Sequence, residues 1–200
     1  ARSYGRSKFW GLVMDDCTDK MWSVFMKKKN EFGTKVLNMI KNLKAKGMIV
    51  KKIRLDNTSE NNHLEKLCKE EGLDIKFEHT PRDSLQYNGR VERKFQTLWG
   101  RVRSMLNAAK LDAETRGGAW AEAAKQATEL EDALVPPHKS NKGPSFNQFH
   151  NNNWQGLAHL HQFGQMVMVK TATQHQGKLN NKGSVMMCCG QAINHAKDVH

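Results

Sequence analysis

The sequence predicts an α/β fold built on a mixed sheet, and three observations predict it. Apolar runs of strand length alternate with longer segments whose apolar residues recur at helical spacing, in the order strand, strand, helix, strand, helix, strand, helix, helix. The first two runs are joined by the polar stretch Asp15-Asp16-Cys17-Thr18-Asp19-Lys20, which suits a hairpin turn. Helical segments end where chain breakers stand, at Gly47, Gly72 and Pro136-Pro137.

Each element has its own signal. Phe9 to Met14 and Met21 to Met26 are short apolar runs flanked by polar residues, the arms of the hairpin. Phe32, Val36, Leu37, Ile40 and Leu43 fall on one face of a helix whose other face is lysine-rich. Met48 to Leu55 alternates apolar and basic residues and predicts a strand ending in Asp56-Asn57. A short helix is expected over Glu60 to Glu71, and a strand over Asp74 to Glu78. Residues 80–89 have loop composition. A long helix comes next, with Val91, Phe95, Leu98, Trp99, Val102, Met105 and Leu106 on its apolar stripe. An alanine-rich helix runs from Ala119 to Leu134, and strands are expected over Gln165 to Lys170 and Ser184 to Cys189. The domain organisation expected is a core over 1–135, an irregular linker over 136–158, and a small β-rich extension over 159–200.

The formal charge of +12 is uneven: residues 1–110 hold 24 basic and 13 acidic groups, and the remainder 8 and 7. A basic first half predicts a polyanion-facing surface, with nucleic acid as the partner and salt-sensitive binding. No apolar run approaches the ~20 residues that span a bilayer, so no membrane partner is expected. Cys17, Cys68, Cys188 and Cys189 form no C-x-x-C pair, which predicts reduced, buried thiols in an intracellular protein. The histidines lack zinc spacing; His159 and His161 alternate without a third ligand.

Asp56 stands at a strand end, the position at which open α/β sheets place their chemistry. Glu92 comes after Asn88-Gly89 and is expected in the first turn of the long helix, where an acid also suits the helix dipole. Thirty-five residues separate the two acids. That spacing resembles the second Asp and the Glu of the retroviral and retrotransposon integrases, the D,D-35-E enzymes. Leu55-Asp56-Asn57 with Glu60, Asn88-Gly89-Arg90-Val91-Glu92-Arg93-Lys94-Phe95 and Trp120-Ala121-Glu122-Ala123 are similar to words of the copia-type elements. Val13-Met14-Asp15-Asp16 with Trp22 is similar too, and Gln162-Phe163-Gly164 and Gly177-Lys178-Leu179 resemble the segment beyond the core in those polyproteins.

The resemblance implies an RNase H-like mixed β-sheet flanked by helices, with a small C-terminal β-rich extension. It implies an integrase catalytic-core fragment of a retrotransposon polyprotein, acting in metal-dependent DNA 3′-end processing and strand transfer. Asp56 and Glu92 would be catalytic residues and ligands of a two-ion Mg²⁺ (or Mn²⁺) site, because hard cations prefer oxygen donors. Lys94, Arg101 and Arg103 would contact DNA phosphates. The partners implied are element and target DNA and further copies of the chain, in a nucleus or virus-like particle. In the family the first catalytic Asp lies on a strand before the hairpin, so Asp15 and Asp16 are expected to be turn residues, and this chain is expected to hold two of three metal ligands. A degenerate, DNA-binding integrase-like domain and an RNase H-fold nuclease are the alternatives.

Overall fold

A computed structural model describes residues 1–56, 59–80, 85–135, 143–152, 160–170 and 183–190. Two compact units emerge, one of residues 1–15 and 21–97, the other of 16–20 and 98–200.

The first unit opens with the hairpin. β1 (Phe9–Met14) pairs antiparallel with β2 (Met21–Met26), Phe9 opposite Met26 and Met14 opposite Met21. α1 (Glu31–Ala45) is next. The Glu31 carboxylate accepts from the Lys27 backbone N–H at 3.0 Å, and Gly47, at φ 79°, turns the chain out of the helix. β3 (Lys52–Asp56) and β4 (Lys76–Thr80) are parallel, Lys52 opposite Lys76 and Asp56 opposite Thr80. Parallel neighbours need a crossover, and α2 (Ser59–Glu70) supplies it. Val24, Met26, Val36, Leu37, Ile40, Leu55, Leu64 and Cys68 are the buried centre. Gly33 lets α1 approach α2 closely, since a methyl group there would lie 3.2 Å from the Leu64 backbone nitrogen.

The strand expected from Met48 begins only at Lys52, because β4 offers ladder partners from Lys76 onward; Ile49 is left 75% exposed. β4 itself sits two residues later than expected, after a tight Leu73–Ile75 turn.

α3 (Leu85–Ala108) passes from the first unit into the second. The loop expected over 80–89 is therefore helical from Leu85, and Asn88-Gly89 is not a turn. Once the stripe from Val91 onward is helical, each further residue adds a backbone hydrogen bond at little extra cost, so the helix extends backward through residues of loop composition.

In the second unit, Leu98, Val102 and Leu106 of α3 are buried, as are Ala121, Ala123, Ala124 and Ala127 of α5 (Trp120–Ala133). Two helices escape the sequence reading. α4 (Ala113–Gly118) is capped by Asp112, whose carboxylate accepts from the Glu114 and Thr115 N–H groups. α6 (Ser145–His150) stands inside the expected linker. β5 (Met166–Lys170) and β6 (Gly183–Met187) form an antiparallel ladder, as the extension predicts. Gly164, at φ 81°, precedes β5; a methyl group on it would lie 2.3 Å from Ala109 Cβ. That contact explains the glycine of the Gln162-Phe163-Gly164 word. Among the described residues the strands form three two-stranded sheets, one parallel and two antiparallel, the mixed α/β arrangement expected.

All four cysteines are free thiols. Cys68 and Cys188 are buried as expected, whereas Cys17 is exposed in the polar turn after β1. Burial pushes the Cys68 thiol up, and burial with Glu122 and Cys188 nearby does the same for Cys189. His161 is exposed, and His159 lies outside the described residues. Among the described residues no helix is long and apolar enough to cross a membrane.

Candidate functional site

Asp56 is the last residue of β3, and its side chain is exposed. The pleat that buries Leu55 turns the next side chain away from the core, so an acid at this position meets solvent at modest desolvation cost. Asn61, in the first turns of α2 and 8% exposed, fixes the strand end. Its side-chain amide donates to the Asp56 backbone carbonyl at 3.0 Å and, in a short contact, to Asp56 Oδ1. The carboxylate is thereby oriented through one oxygen. Asn61 was not singled out from the sequence; the signal available was a polar amide on the buried side of an otherwise apolar helix stripe.

Glu92 is exposed and lies well inside α3, whose first turn holds no acid. The expected first-turn position is thus corrected: with the helix beginning at Leu85, Glu92 is beyond the reach of the dipole at its N-terminus. Glu92 lines an open cleft of about 370 Å³ with Val91, Phe95 and Gln96 of the same helix and Trp10, Gly11 and Leu12 of β1. The Trp10 ring packs on Phe95 with centroids 4.6 Å apart, and its indole N–H donates to Ser23 Oγ at 2.9 Å. Both contacts hold the aromatic floor beside Glu92 in one orientation. Sequence reading gave Trp10 to Leu12 only a strand role, because the pairing of β1 with the α3 face is a long-range contact.

Asp56 and Glu92 are both carried by the first unit, and Asp56 is not among the residues lining the Glu92 cleft. Asp15 and Asp16 occupy the polar turn that begins after β1. Among the described residues no three His, Cys, Asp or Glu side chains gather as a metal-binding group. As donors, two exposed carboxylates suit a hard divalent cation, and one oxygen of Asp56 is already engaged by Asn61.

The basic candidates on α3 differ in availability. Arg101 is tied to Glu131 of α5 at 2.6 Å. Lys94 is half-buried and has a partner of its own. Arg103 is exposed and has no ion pair among the described residues. Of the apolar stripe, Leu98, Val102 and Leu106 are buried, and Trp99 is 39% exposed and stacked near Trp120 at 6.5 Å.

No protein-family profile matches the chain. It is 27% identical over 194 residues to a retrovirus-related Pol polyprotein from transposon TNT 1-94 of Nicotiana tabacum, covering 90% of this chain and 13% of that protein. Among solved structures it is similar to a chain of the simian T-cell lymphotropic virus intasome in complex with the PP2A regulatory subunit B56 gamma, with a TM-score of 0.54, 16% identity, and coverage of 90% of this chain and 62% of that one. A further neighbour is the HTLV-2 integrase catalytic core domain in complex with magnesium, at TM-score 0.49 and 15% identity, covering 72% of this chain and 87% of that one. The chain thus spans a small part of its curated relative and less than two thirds of the intasome chain. By sequence the chain is similar to a retrotransposon Pol polyprotein, and its α/β fold is similar to that of the intasome chain.

Proposed function

We propose that this chain is the integrase catalytic-core segment of a copia-type retrotransposon polyprotein, and that Asp56 and Glu92 are two of the carboxylates of its DNA-processing site. The observation that carries the reading is the placement of the two acids. One ends a strand and the other projects from a long helix of the same unit, 35 residues on, each exposed and within its family-like word. Asp56 and Glu92 would hold Mg²⁺ or Mn²⁺, which when bound supplies Lewis acidity to the attacking water or 3′-hydroxyl and to the departing oxygen. Phosphoryl transfer asks the protein mainly for positioning and charge neutralisation. Asn61 positions the Asp56 carboxylate, the Trp10–Phe95 pair braces the helix that carries Glu92, and Arg103 is available to a DNA phosphate. The intasome similarity supports DNA as substrate and a multimeric working form. The working place of the intact protein would be a nucleus or virus-like particle.

The hydrogen bond from Asn61 to Asp56 favours one second reading, an integrase-like domain that binds DNA without catalysis, because the amide competes with a cation for Asp56 Oδ1. A strand-transfer assay with labelled duplex and Mn²⁺, using the chain together with the segment that precedes it in its parent polyprotein, separates the two. The integrase reading expects joined product that Asp56→Asn and Glu92→Gln each abolish with the thermal melt unchanged. Nicking without joining points to a nuclease, and binding alone to the non-catalytic domain.

A further inference from the structure

We infer that α1 and the segments flanking it form a second nucleic-acid surface, separate from α3, that holds the phosphate backbone of a duplex. The inference rests on the nucleic-acid part of the proposed function and not on its chemistry. Residues 27–54 contain ten basic residues and one acid, Glu31. They therefore supply most of the net charge of the chain.

The structure shows where that charge goes. Thr34, Lys35, Asn38, Lys41 and Asn42 are exposed on the side of α1 opposite the buried Val36, Leu37 and Ile40. Lys27, Lys28 and Lys29 lead into the helix, and Lys44, Lys46 and Lys51 lie at and beyond its end, all exposed. Ion pairs take Lys41 (with Glu71, 2.7 Å), Lys52 (with Glu78, 2.8 Å) and Arg54 (with Glu78, 3.6 Å). Lys27, Lys28, Lys35, Lys44, Lys46 and Lys51 have no ion pair among the described residues. On α3, Arg101 is tied to Glu131, while Arg93 and Arg103 are exposed. Arg2, Arg6, Lys76 and Arg93 of the first unit are exposed too, but six exposed lysines without an ion pair among the described residues gather on and around α1.

The chemistry of the face selects the polyanion. Lysines are point charges that serve phosphates without reading sequence, and threonine and asparagine between them can donate to phosphate oxygens. No aromatic side chain is exposed on α1, so single strands find no stacking platform. Of the large apolar side chains on and beside α1 only Ile49, between Lys46 and Lys51, is exposed, and a single apolar residue gives a lipid surface little insertion. Lys35 to Lys46 covers about 16 Å of helix axis at ~1.5 Å per residue, the length of about five base pairs at ~3.4 Å each.

The test is salt-dependent binding of a 20-base-pair duplex by the whole chain. Lys28→Gln, Lys35→Gln and Lys46→Gln are combined; Lys44 is kept because a cation suits the helix C-terminus. A charge-matched control combines Lys66→Gln, Lys110→Gln and Lys170→Gln, also exposed residues. Three lost phosphate contacts should flatten the slope of log affinity against log salt by about 2.7 and weaken binding at least ~10-fold near 0.1 M salt. The control should keep the parental slope. An unchanged slope in the α1 variant, equal losses in variant and control, or tighter α1-dependent binding to phosphatidylserine vesicles than to duplex would each overturn the inference. The Asp56→Asn and Glu92→Gln chain should lose strand transfer yet still lose about 2.7 of salt slope when the three α1 lysines are replaced, so a failed integrase reading and a failed α1 surface give different results. A changed melting temperature in the α1 variant is resolved by repeating the titration with Lys35→Gln alone, for which a slope change near 0.9 is expected and no change overturns the inference.

Discussion

Truncating Asp132 to alanine should destabilise the second unit by about 3 kcal/mol. Asp132 of α5 is paired with Lys20, and the two side chains are 3% and 11% exposed. Removing one member of a buried pair leaves the other charge desolvated, which costs about 3–5 kcal/mol. Two features of the surroundings place the value at the low end. The Lys20 ammonium lies 6.0 Å from the centre of the Phe146 ring, which retains some attraction for a cation. Glu129 is near enough to feel Lys20, although burial pushes its carboxyl up and so weakens it as a substitute partner. For a chain of this size about 3 kcal/mol corresponds to a fall in Tm of roughly 6–12 °C. Urea denaturation followed by far-ultraviolet circular dichroism gives the free energy directly. The double variant Lys20→Met, Asp132→Leu removes both charges and should regain most of the loss, since apolar replacements of buried pairs are often neutral or stabilising. A loss below about 1 kcal/mol for Asp132→Ala, or a double variant no more stable than the single one, would refute the reasoning that desolvation dominates here.

Two further outcomes rest on particular contacts. Gly164→Ala combines a positive φ with a methyl group pressed against Ala109; it should cost more than the ~1 kcal/mol typical of a point change, and a melt within about 1 °C of the parent would contradict that account. Glu65 is held below the ordinary carboxylate range by its hydrogen bonds to Lys69 and then His79. A depressed folded pKa gives stability that is present above the unfolded value of about 4.3 and lost as pH falls through the folded value. Stability should therefore drop as pH falls below about 4.3, by less than ~1 kcal/mol from this group because the pair is solvent-screened, and Glu65→Gln should show a shallower decline in parallel urea titrations.

The sequence by itself determined the elements whose signals are local. The hairpin arms Phe9–Met14 and Met21–Met26 match their runs residue for residue, because a short apolar run bounded by polar residues marks both ends without help from the rest of the chain. The apolar stripe of α3 and the acid at the end of β3 were legible for the same reason. The spacing of Asp56 and Glu92 was legible as a family-like word, which is linear information.

What needed the tertiary structure was everything set by partners far along the chain. β3 starts at Lys52 and not Met48 because a parallel strand extends only as far as β4 accompanies it. α3 begins at Leu85, moving Glu92 away from the helix end, because helix growth from a packed stripe overrides loop composition. Trp10 became a neighbour of Glu92 only through the packing of β1 on α3, and Asn61 became the clamp on Asp56 only when α2 folded back over the end of β3. Arg101 and Lys35 read alike in the sequence, as cations on amphipathic helices. Glu131 neutralises the first and solvent surrounds the second, since the partner of a side chain is fixed by which element packs against it, and linear spacing carries no record of that.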